Sequence, residues 1–128
     1  MAKKIIYTEN APKAIGPYSQ GVLAGDFLYI SGQVPINPSN GDVLKDSIGM
    51  QTNQVISNIE SICLEAGCGL SDIVKITIYL TDLGDFAEVN KVMVERFSEP
   101  YPARATIEIS ALPLGVNVEI DAVVYTND

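Results

Sequence analysis

Arg104 is the residue whose type and position most directly suggest chemistry in this chain. It lies in the segment 103–110, ARATIEIS, where apolar and polar residues alternate as in a half-buried strand, and it falls on the polar side. The whole chain carries only eight Lys and Arg against 16 Asp and Glu. An arginine at the start of such a strand can be a solvated charge, half of an ion pair, or the anchor for an anionic ligand. The pattern alone leaves all three interpretations open.

Glu119 is expected on the same side of the sheet as Arg104. It lies in a second alternating segment, 116–126, whose apolar residues take the other face. If the segments 103–110 and 116–126 form a simple hairpin, Glu119 lies opposite Glu108, about four residues or ~13 Å along the strand from Arg104. The two charges then meet only across a subunit interface, unless a bulge shifts the register. They can also be two independent charges on a sheet face.

The composition narrows the chemistry that these residues can perform. The chain of 128 residues has no histidine, which removes Ser-His and Cys-His nucleophile pairs and the usual general base at neutral pH. It also lacks the glycine-rich motifs that cradle phosphates in nucleotide-binding proteins. An enzyme of this composition must use carboxylates, tyrosines, hydroxyls, backbone groups and water. Its reaction must therefore be an easy one.

Charge and hydropathy favour a soluble cytoplasmic protein that does not bind nucleic acid in general. The net charge is −8 and the basic residues are scattered, which disfavours binding to nucleic acid. No apolar run approaches the roughly 18–20 residues that cross a bilayer, and the amino terminus does not have the pattern of a secretory signal. Cys63 and Cys68 are expected to be reduced thiols, since a zinc site needs further ligands. The length predicts one domain over residues 1–128.

Two helices follow from the spacing of apolar residues. Residues 47–66 carry apolar side chains at three- and four-residue steps. Asp46 or Ser47 is the predicted N-cap, and Gly67 is placed to end that helix. A second helix is predicted over 85–97, where Asp85 and Glu88 have the spacing of a capping box. Its buried apolar stripe is predicted to consist of Phe86, Val89, Met93 and Phe97. Strands are predicted at 3–7, near 21–24, and at 73–81, 103–110 and 116–126, with Val74 on the apolar side of its strand beside Ile76, Ile78 and Leu80. The segment 24–31 is predicted to hold a hairpin turn at Gly25-Asp26 followed by a further strand.

The order β-β-β-α-β-α-β-β predicts an α+β fold. Both helices should pack on one face of a mixed sheet of about six strands and form a two-layer sandwich. The tyrosines, threonines and valine expected among charges on the other face are typical of a subunit interface with polar pockets. A cyclic homotrimer is one natural way to bury such a face. By parity that face carries Tyr29, Ser31, Lys75, Thr77, Tyr79, Arg104, Thr106, Glu119, Val123 and Tyr125.

Four segments, in one order along the whole chain, resemble the Rid family of reactive-intermediate deaminases, also called the YjgF family. The resemblance is most specific in PARATIEISALPLGVNVEI, where Pro-Ala-Arg is followed at fixed distance by Val-Glu-Ile. The four segments are NAPKAIGPYSQG (10–21), YISGQVPINPSNG (29–41), DIVKITIYLTDLGDFAEVN (72–90) and PARATIEISALPLGVNVEI (102–120).

The resemblance implies a chorismate-mutase-like fold and a homotrimer with clefts for small carboxylates between subunits. The implied activity is hydrolysis of 2-iminopropanoate and 2-iminobutanoate to 2-oxo acids and ammonia, without a metal or an organic cofactor. The alternative is a trimer that binds a small carboxylate as a sensor or regulator, without turnover. Relatives have also been described as translation initiation inhibitors and endoribonucleases. The absence of a basic patch weighs against a direct role on RNA.

The resemblance also implies which residues hold the substrate. Arg104 would grip its carboxylate with a planar, two-pronged fork that lysine cannot offer. The backbone N–H of Thr106 would donate to the same oxygens, and Asn90 would support the site from behind. Many relatives have cysteine where this chain has Thr106, so chemistry that needs a thiol is not expected here.

Four further residues complete the site that the resemblance implies. Glu119 would position or activate water, and Tyr18 would help to relay a proton. Ser31 and Gly32 would line the pocket, where glycine allows the backbone to approach the substrate closely. Because an imine conjugated to a carboxylate is already electrophilic, orientation of substrate and water can supply much of the acceleration.

Overall fold

One mixed sheet with two helices on one face forms the protein, in the computed structural model, which describes residues 2–126. The expected two-layer α+β sandwich and the order of its elements are confirmed. Within the described residues the strands are β1 (Lys4–Ile6), β2 (Gly21–Ala24), β3 (Phe27–Gln33), β4 (Ile73–Leu80), β5 (Ala103–Glu108) and β6 (Val118–Tyr125). The helices are α1 (Ile48–Glu65) and α2 (Phe86–Arg96), and single 3₁₀ turns lie at Leu70–Asp72, Leu83–Asp85 and Pro113–Gly115.

The sheet order is β1-β2-β3-β6-β4-β5, which separates β5 from β6. The expected hairpin between these two strands is therefore wrong. The chain leaves β4, crosses through α2 and returns as β5, which pairs in parallel with the outer edge of β4. Strand β6 then fills the gap between β3 and β4 and pairs antiparallel with both. A strand order of this kind depends on the crossover and not on sequence proximity.

The register places Arg104 and Glu119 on opposite faces of the sheet. Arg104 is the partner of Ile76, which is 1% exposed and lies in the core under the helices. Glu119 is the partner of Tyr79, on the face that no helix covers. Partners on neighbouring strands project to the same side, so Arg104 and Thr106 lie on the helix side of the edge strand β5. The expectation that they share the open face with Glu119 is wrong; alternation alone could not choose between the faces of an edge strand whose side chains are all partly accessible.

The helix α1 begins and ends as its sequence predicts. Ser47 adopts an extended conformation and its hydroxyl accepts a hydrogen bond from the Met50 N–H at 3.3 Å. Gly67 follows the helix with a positive φ of 80°, a conformation that favours glycine. The helix packs on the middle of the sheet, and neither helix of the described residues is long and apolar enough to cross a membrane. The largest fully buried side chains include Leu28, Ile56, Ile59, Ile62, Ile76, Ile78, Leu80 and Ile120.

Two local expectations are wrong for reasons of backbone geometry. The capping box at Asp85 does not form, because the chain enters α2 through the 3₁₀ turn Leu83–Asp85 and Asp85 is already helical, with φ −83° and ψ 0°. In β4, the pairing with β6 shifts between Ile73 and Lys75. This bulge turns Val74 outward, where it is 43% exposed, and buries Ile73 in its place.

Candidate functional site

Four of the seven residues singled out from the sequence lie around one cleft. Tyr18, Ser31, Gly32 and Glu119 line a hollow of about 420 Å³ beside the open face of the sheet. It is bounded by the segment that precedes β2, the end of β3, the 3₁₀ turn before β6 and the first residues of β6. The remaining lining residues are Pro12, Lys13, Ile15, Gln20, Gln33, Val34, Ile36, Pro113 and Leu114.

The end of β3 brings Ser31 and Gly32 to the cleft. The pairing of β3 with β6 is interrupted between Ile30 and Gln33, which frees the two residues between them from the regular ladder. Ser31 uses this freedom to hold the preceding segment, since its hydroxyl donates to the Ser19 carbonyl at 2.5 Å. The role of Ser31 in this structure is thus to fix the wall of the cleft.

At Gly32 the backbone lies close against the Glu119 side chain. A Cβ atom added at Gly32 would lie 2.8 Å from Cδ and 3.2 Å from Cγ of Glu119, and nearer still to one carboxylate oxygen. Any side chain at Gly32 would therefore displace the carboxylate. The glycine is required by this approach and not by its backbone conformation.

Gln20 organises the segment that carries Tyr18, a role that the sequence did not reveal. Its side chain is 3% exposed, and its amide nitrogen donates to the carbonyls of Thr8, Ala11 and Pro12 at 3.0, 3.2 and 2.9 Å. Its amide oxygen accepts from the Thr8 N–H at 2.8 Å. These bonds fold an irregular segment against the sheet and leave Tyr18 half-exposed at the cleft. A lone glutamine before a short strand gives no signal of such a network.

Glu119 is the carboxylate of the cleft, and its surroundings favour its neutral form. Burial raises the pKa of Glu119, and the negative charge of Asp121 raises it further. Lys13 from the preceding segment is the cation that lines the same cleft. A carboxylate with a raised pKa is a stronger base than an ordinary glutamate, which suits it to accept a proton from water.

Arg104 and Asn90 form a second cluster on the helix side of the sheet edge. The Arg104 guanidinium donates to Oδ1 of Asn90 at 2.5 Å and lies 5.2 Å from the centre of the Phe86 ring. Phe86 is consequently part of the surface of α2 and not of the buried stripe predicted for it. Among residues 2–126, Arg104 has no ion pair, so the interpretation as half of an ion pair within its own chain finds no support.

Thr106 lies two residues beyond Arg104 on the same side of β5. Its hydroxyl oxygen is buried and has no hydrogen-bond partner among the described residues. An unpartnered buried polar group costs about 1–3 kcal/mol. The environment of Thr106 is thus incomplete in the isolated chain.

The two clusters do not meet within one chain. Strand β4 lies between β5 and β6, and the partners of Arg104 and Glu119 on it, Ile76 and Tyr79, are three residues apart. Two strand spacings and three residues along the strand amount to ~14 Å, with the side chains on opposite faces. Within residues 2–126, no group of three or more His, Cys, Asp or Glu side chains is placed to hold a metal ion.

Fold and site together define a small two-layer α+β protein with a carboxylate in one cleft and, at a separate edge, an arginine that forms no ion pair within residues 2–126. The family profile described as Endoribonuclease L-PSP matches residues 8–126. The chain belongs to this family, which is the Rid or YjgF family that its sequence resembles. The resemblance stated from the four segments is confirmed.

Known relatives and solved structures match this chain over nearly its full length. A RutC family protein of Pyrococcus abyssi is 50% identical over 125 residues, which cover 98% of both chains. A Bos taurus protein named 2-iminobutanoate/2-iminopropanoate deaminase is 42% identical over 123 residues, 96% of this chain and 90% of the relative. RidA of an Antarctic Psychrobacter superposes with a TM-score of 0.92 at 46% identity, over 95% of this chain and 98% of that one. Escherichia coli TdcF, solved with bound serine, gives a TM-score of 0.90 at 38% identity, over 97% and 99%.

Proposed function

We propose that the protein hydrolyses small 2-imino acids, namely 2-iminopropanoate and 2-iminobutanoate, to 2-oxo acids and ammonia. The observation that carries the proposal is the Glu119 carboxylate, which lies against Gly32 in a cleft and is made more basic by its burial. The name of the Bos taurus relative supports the reaction, and the serine bound to TdcF supports a small carboxylate as ligand. Arg104, without an ion pair within residues 2–126, is a suitable anchor for that carboxylate.

A homotrimer would bring the two clusters together. A three- or four-carbon acid is roughly 5 Å long at ordinary bond lengths, too short to span the ~14 Å between Arg104 and Glu119 of one chain. In a cyclic oligomer the interface joins two different patches of neighbouring subunits. The cluster at Arg104 of one subunit would then face the Glu119 cleft of the next. The open face offers apolar area for such an interface, with Tyr29 50% exposed and the rings of Phe27 and Tyr125 5.4 Å apart.

The proposed reaction begins with an oriented substrate. The Arg104 fork binds the carboxylate, Asn90 holds the guanidinium, and the Thr106 N–H adds a donor. Glu119 takes a proton from a water molecule as the oxygen of that water bonds to the imine carbon. The π electrons of the C=N bond move to nitrogen, which takes up a proton through Tyr18.

The tetrahedral intermediate then loses ammonia. The proton held by Glu119 passes to the nitrogen and the C–N bond breaks. The remaining hydroxyl becomes the carbonyl of the 2-oxo acid as its proton returns to Tyr18, which restores both residues. One water is consumed and one ammonia is released, with no oxidation or reduction. Because the imine carbon is already electrophilic, holding the reactants in place supplies much of the acceleration. The step therefore needs no histidine.

A coupled assay tests the proposal. A threonine dehydratase generates 2-iminobutanoate in situ, and trapping with semicarbazide measures how fast the imine disappears. Wild-type protein should accelerate the decay, whereas Arg104→Ala should not. Lys91→Ala is the matched control, because it removes a neighbouring exposed cation from α2 and should retain full activity.

The same assay, combined with a binding measurement, separates the imine deaminase from the carboxylate-binding regulator. The serine bound to TdcF also suits a carboxylate-binding regulator without turnover. If folded, oligomeric wild-type protein does not accelerate imine decay but binds 2-oxobutanoate in a calorimetric titration, the deaminase proposal is wrong and the regulator is supported. Acceleration that persists in Arg104→Ala would contradict the assigned anchor.

A further inference from the structure

Tyr79 and Asp121 form a hydrogen-bonded pair beside the cleft. The Tyr79 hydroxyl donates to Oδ2 of Asp121 at 2.9 Å, and both side chains are half-buried. Tyr79 is the register partner of Glu119, whereas Asp121 is the partner of Thr77. The hydrogen bond therefore runs diagonally between β4 and β6 on the open face of the sheet.

Asp121 is the anionic neighbour of Glu119 on the same strand and face. They are two positions apart along β6, which places their Cα atoms roughly 7 Å apart. Neither Asp121 nor Tyr79 lines the cleft, so both act from behind the carboxylate and not on a ligand.

The groups that face Glu119 come from each element packed against it. Asp121 lies on its own strand and Tyr79 on β4, while Lys13 and Tyr18 come from the segment over the cleft. The end of β3 and the 3₁₀ turn before β6 bring only uncharged side chains to the cleft. The pKa of Glu119 is raised first by burial and second by the negative charge of Asp121. The pKa of Tyr79 is raised mainly by its hydrogen bond to Asp121.

We propose that Asp121, held by the Tyr79 hydroxyl, is a positioning residue that keeps a negative charge behind Glu119 and so makes Glu119 a better base. A like charge beside a carboxylate disfavours its ionised form, so Glu119 becomes a stronger base. The importance of this charge for catalysis rests on the proposed function, in which Glu119 acts as the base that takes a proton from water.

The hydrogen bond from Tyr79 determines where the Asp121 carboxylate lies. The hydroxyl holds Oδ2 of Asp121 on the open face of the sheet, beside Glu119. Without the hydroxyl, the Asp121 carboxylate can turn away from Glu119 towards solvent. Both Asp121→Asn and Tyr79→Phe should therefore lower the pH midpoint of Glu119, and Asp121→Asn should lower it more because it removes the charge itself.

Carboxyl ¹³C NMR titration of glutamate-labelled protein without substrate tests this directly. The Glu119 resonance is assigned by its loss in Glu119→Gln. Its midpoint should fall in Asp121→Asn and, by a smaller amount, in Tyr79→Phe. Glu95→Gln removes an exposed carboxylate on α2 and should leave the midpoint unchanged. Tyr79→Phe keeps the ring and so preserves the packing if Asp121→Asn does not fold.

An unchanged Glu119 midpoint in the folded variants would overturn the inference, whatever the protein does to imines. The pH dependence of kcat/KM gives the second readout, since its acid limb should move to lower pH in Asp121→Asn while KM stays near the wild-type value. If the midpoint shifts but wild-type protein has no deaminase activity, the positioning role stands and the proposed function falls. If the acid limb does not move although the midpoint does, Glu119 is not the base.

Discussion

Replacing Gly32 by alanine would test whether the position of the Glu119 carboxylate matters for the reaction. The new Cβ would lie 2.8 Å from Cδ of Glu119, whereas ordinary contacts begin at 3.4 Å. The carboxyl carbon must therefore move by at least about 0.6 Å, and the nearer oxygen by more, which is on the order of the 1 Å misplacement that costs about 100-fold in rate. We expect kcat/KM to fall roughly 10- to 100-fold.

The fold should tolerate this change. Gly32 has no positive φ, and the atoms that must yield belong to the end of a flexible side chain. We expect the free energy of unfolding to change by less than about 1 kcal/mol, since the carboxylate can turn away without opening a cavity. Gly69→Ala is the matched control, because its added Cβ would meet no atom within 4 Å and its φ is −141°.

The assay is the coupled imine decay, run beside thermal melts and size-exclusion chromatography. A double variant separates a direct effect from one through the carboxylate: if Gly32→Ala acts by moving Glu119, adding it to Glu119→Gln should cost little more than Glu119→Gln alone. Wild-type kcat/KM in a correctly assembled Gly32→Ala protein would refute the reasoning. So would a loss of several kcal/mol in stability, which would mean that Glu119 cannot yield.

Three other outcomes follow from buried groups. Gln51→Leu should lower the free energy of unfolding by about 2–3 kcal/mol in urea at fixed protomer concentration, because the Asn117 N–H and side-chain amide lose their partners. The folded-state pKa of Glu119 lies above its ordinary value near 4.5. Its carboxyl therefore stabilises the fold below pH 4.5, and this stabilisation is lost as the pH rises through the folded-state pKa. Glu119→Gln should raise the melting temperature at pH 7, and a melt at pH 4 should show no such increase. Burial raises the pKa of Cys63 to about 12, which leaves about one thiolate in 10⁴ at pH 8, and intact-mass spectrometry should detect no alkylation of Cys63 by iodoacetamide until the protein is unfolded.

Local features of the fold could be predicted from the sequence. The cap at Ser47, the glycine at 67 and the apolar spacing between them define α1 to within one residue, because helix signals are local. The resemblance to the Rid family, and not residue type alone, pointed to Gly32 and Glu119 as site residues, and the structure places both of them at one cleft.

The predictions that were wrong concern features that depend on contacts between separate segments of the chain. The face on which Arg104 lies is fixed by its pairing with Ile76 across a helical crossover, and alternation in a single segment contains no information about it. The bulge that exposes Val74 arises from the pairing with β6, some fifty residues away. The network of Gln20 joins uncharged residues 8 to 12 positions apart in an irregular segment, where no periodic pattern indicates which groups will meet.

The position of β5 at the edge of the sheet has a consequence for aggregation. An edge strand presents unpaired backbone groups to which another chain can add a strand, and charged side chains on it oppose such addition. Here those charges are Arg104 and Glu108, in a strand that otherwise consists of alanine, threonine and isoleucine. The arginine proposed as the substrate anchor thus also keeps the edge from recruiting further strands. Variants that remove it should form fibrils or amorphous aggregates more readily, so their activity must be normalised to the protein that remains in solution.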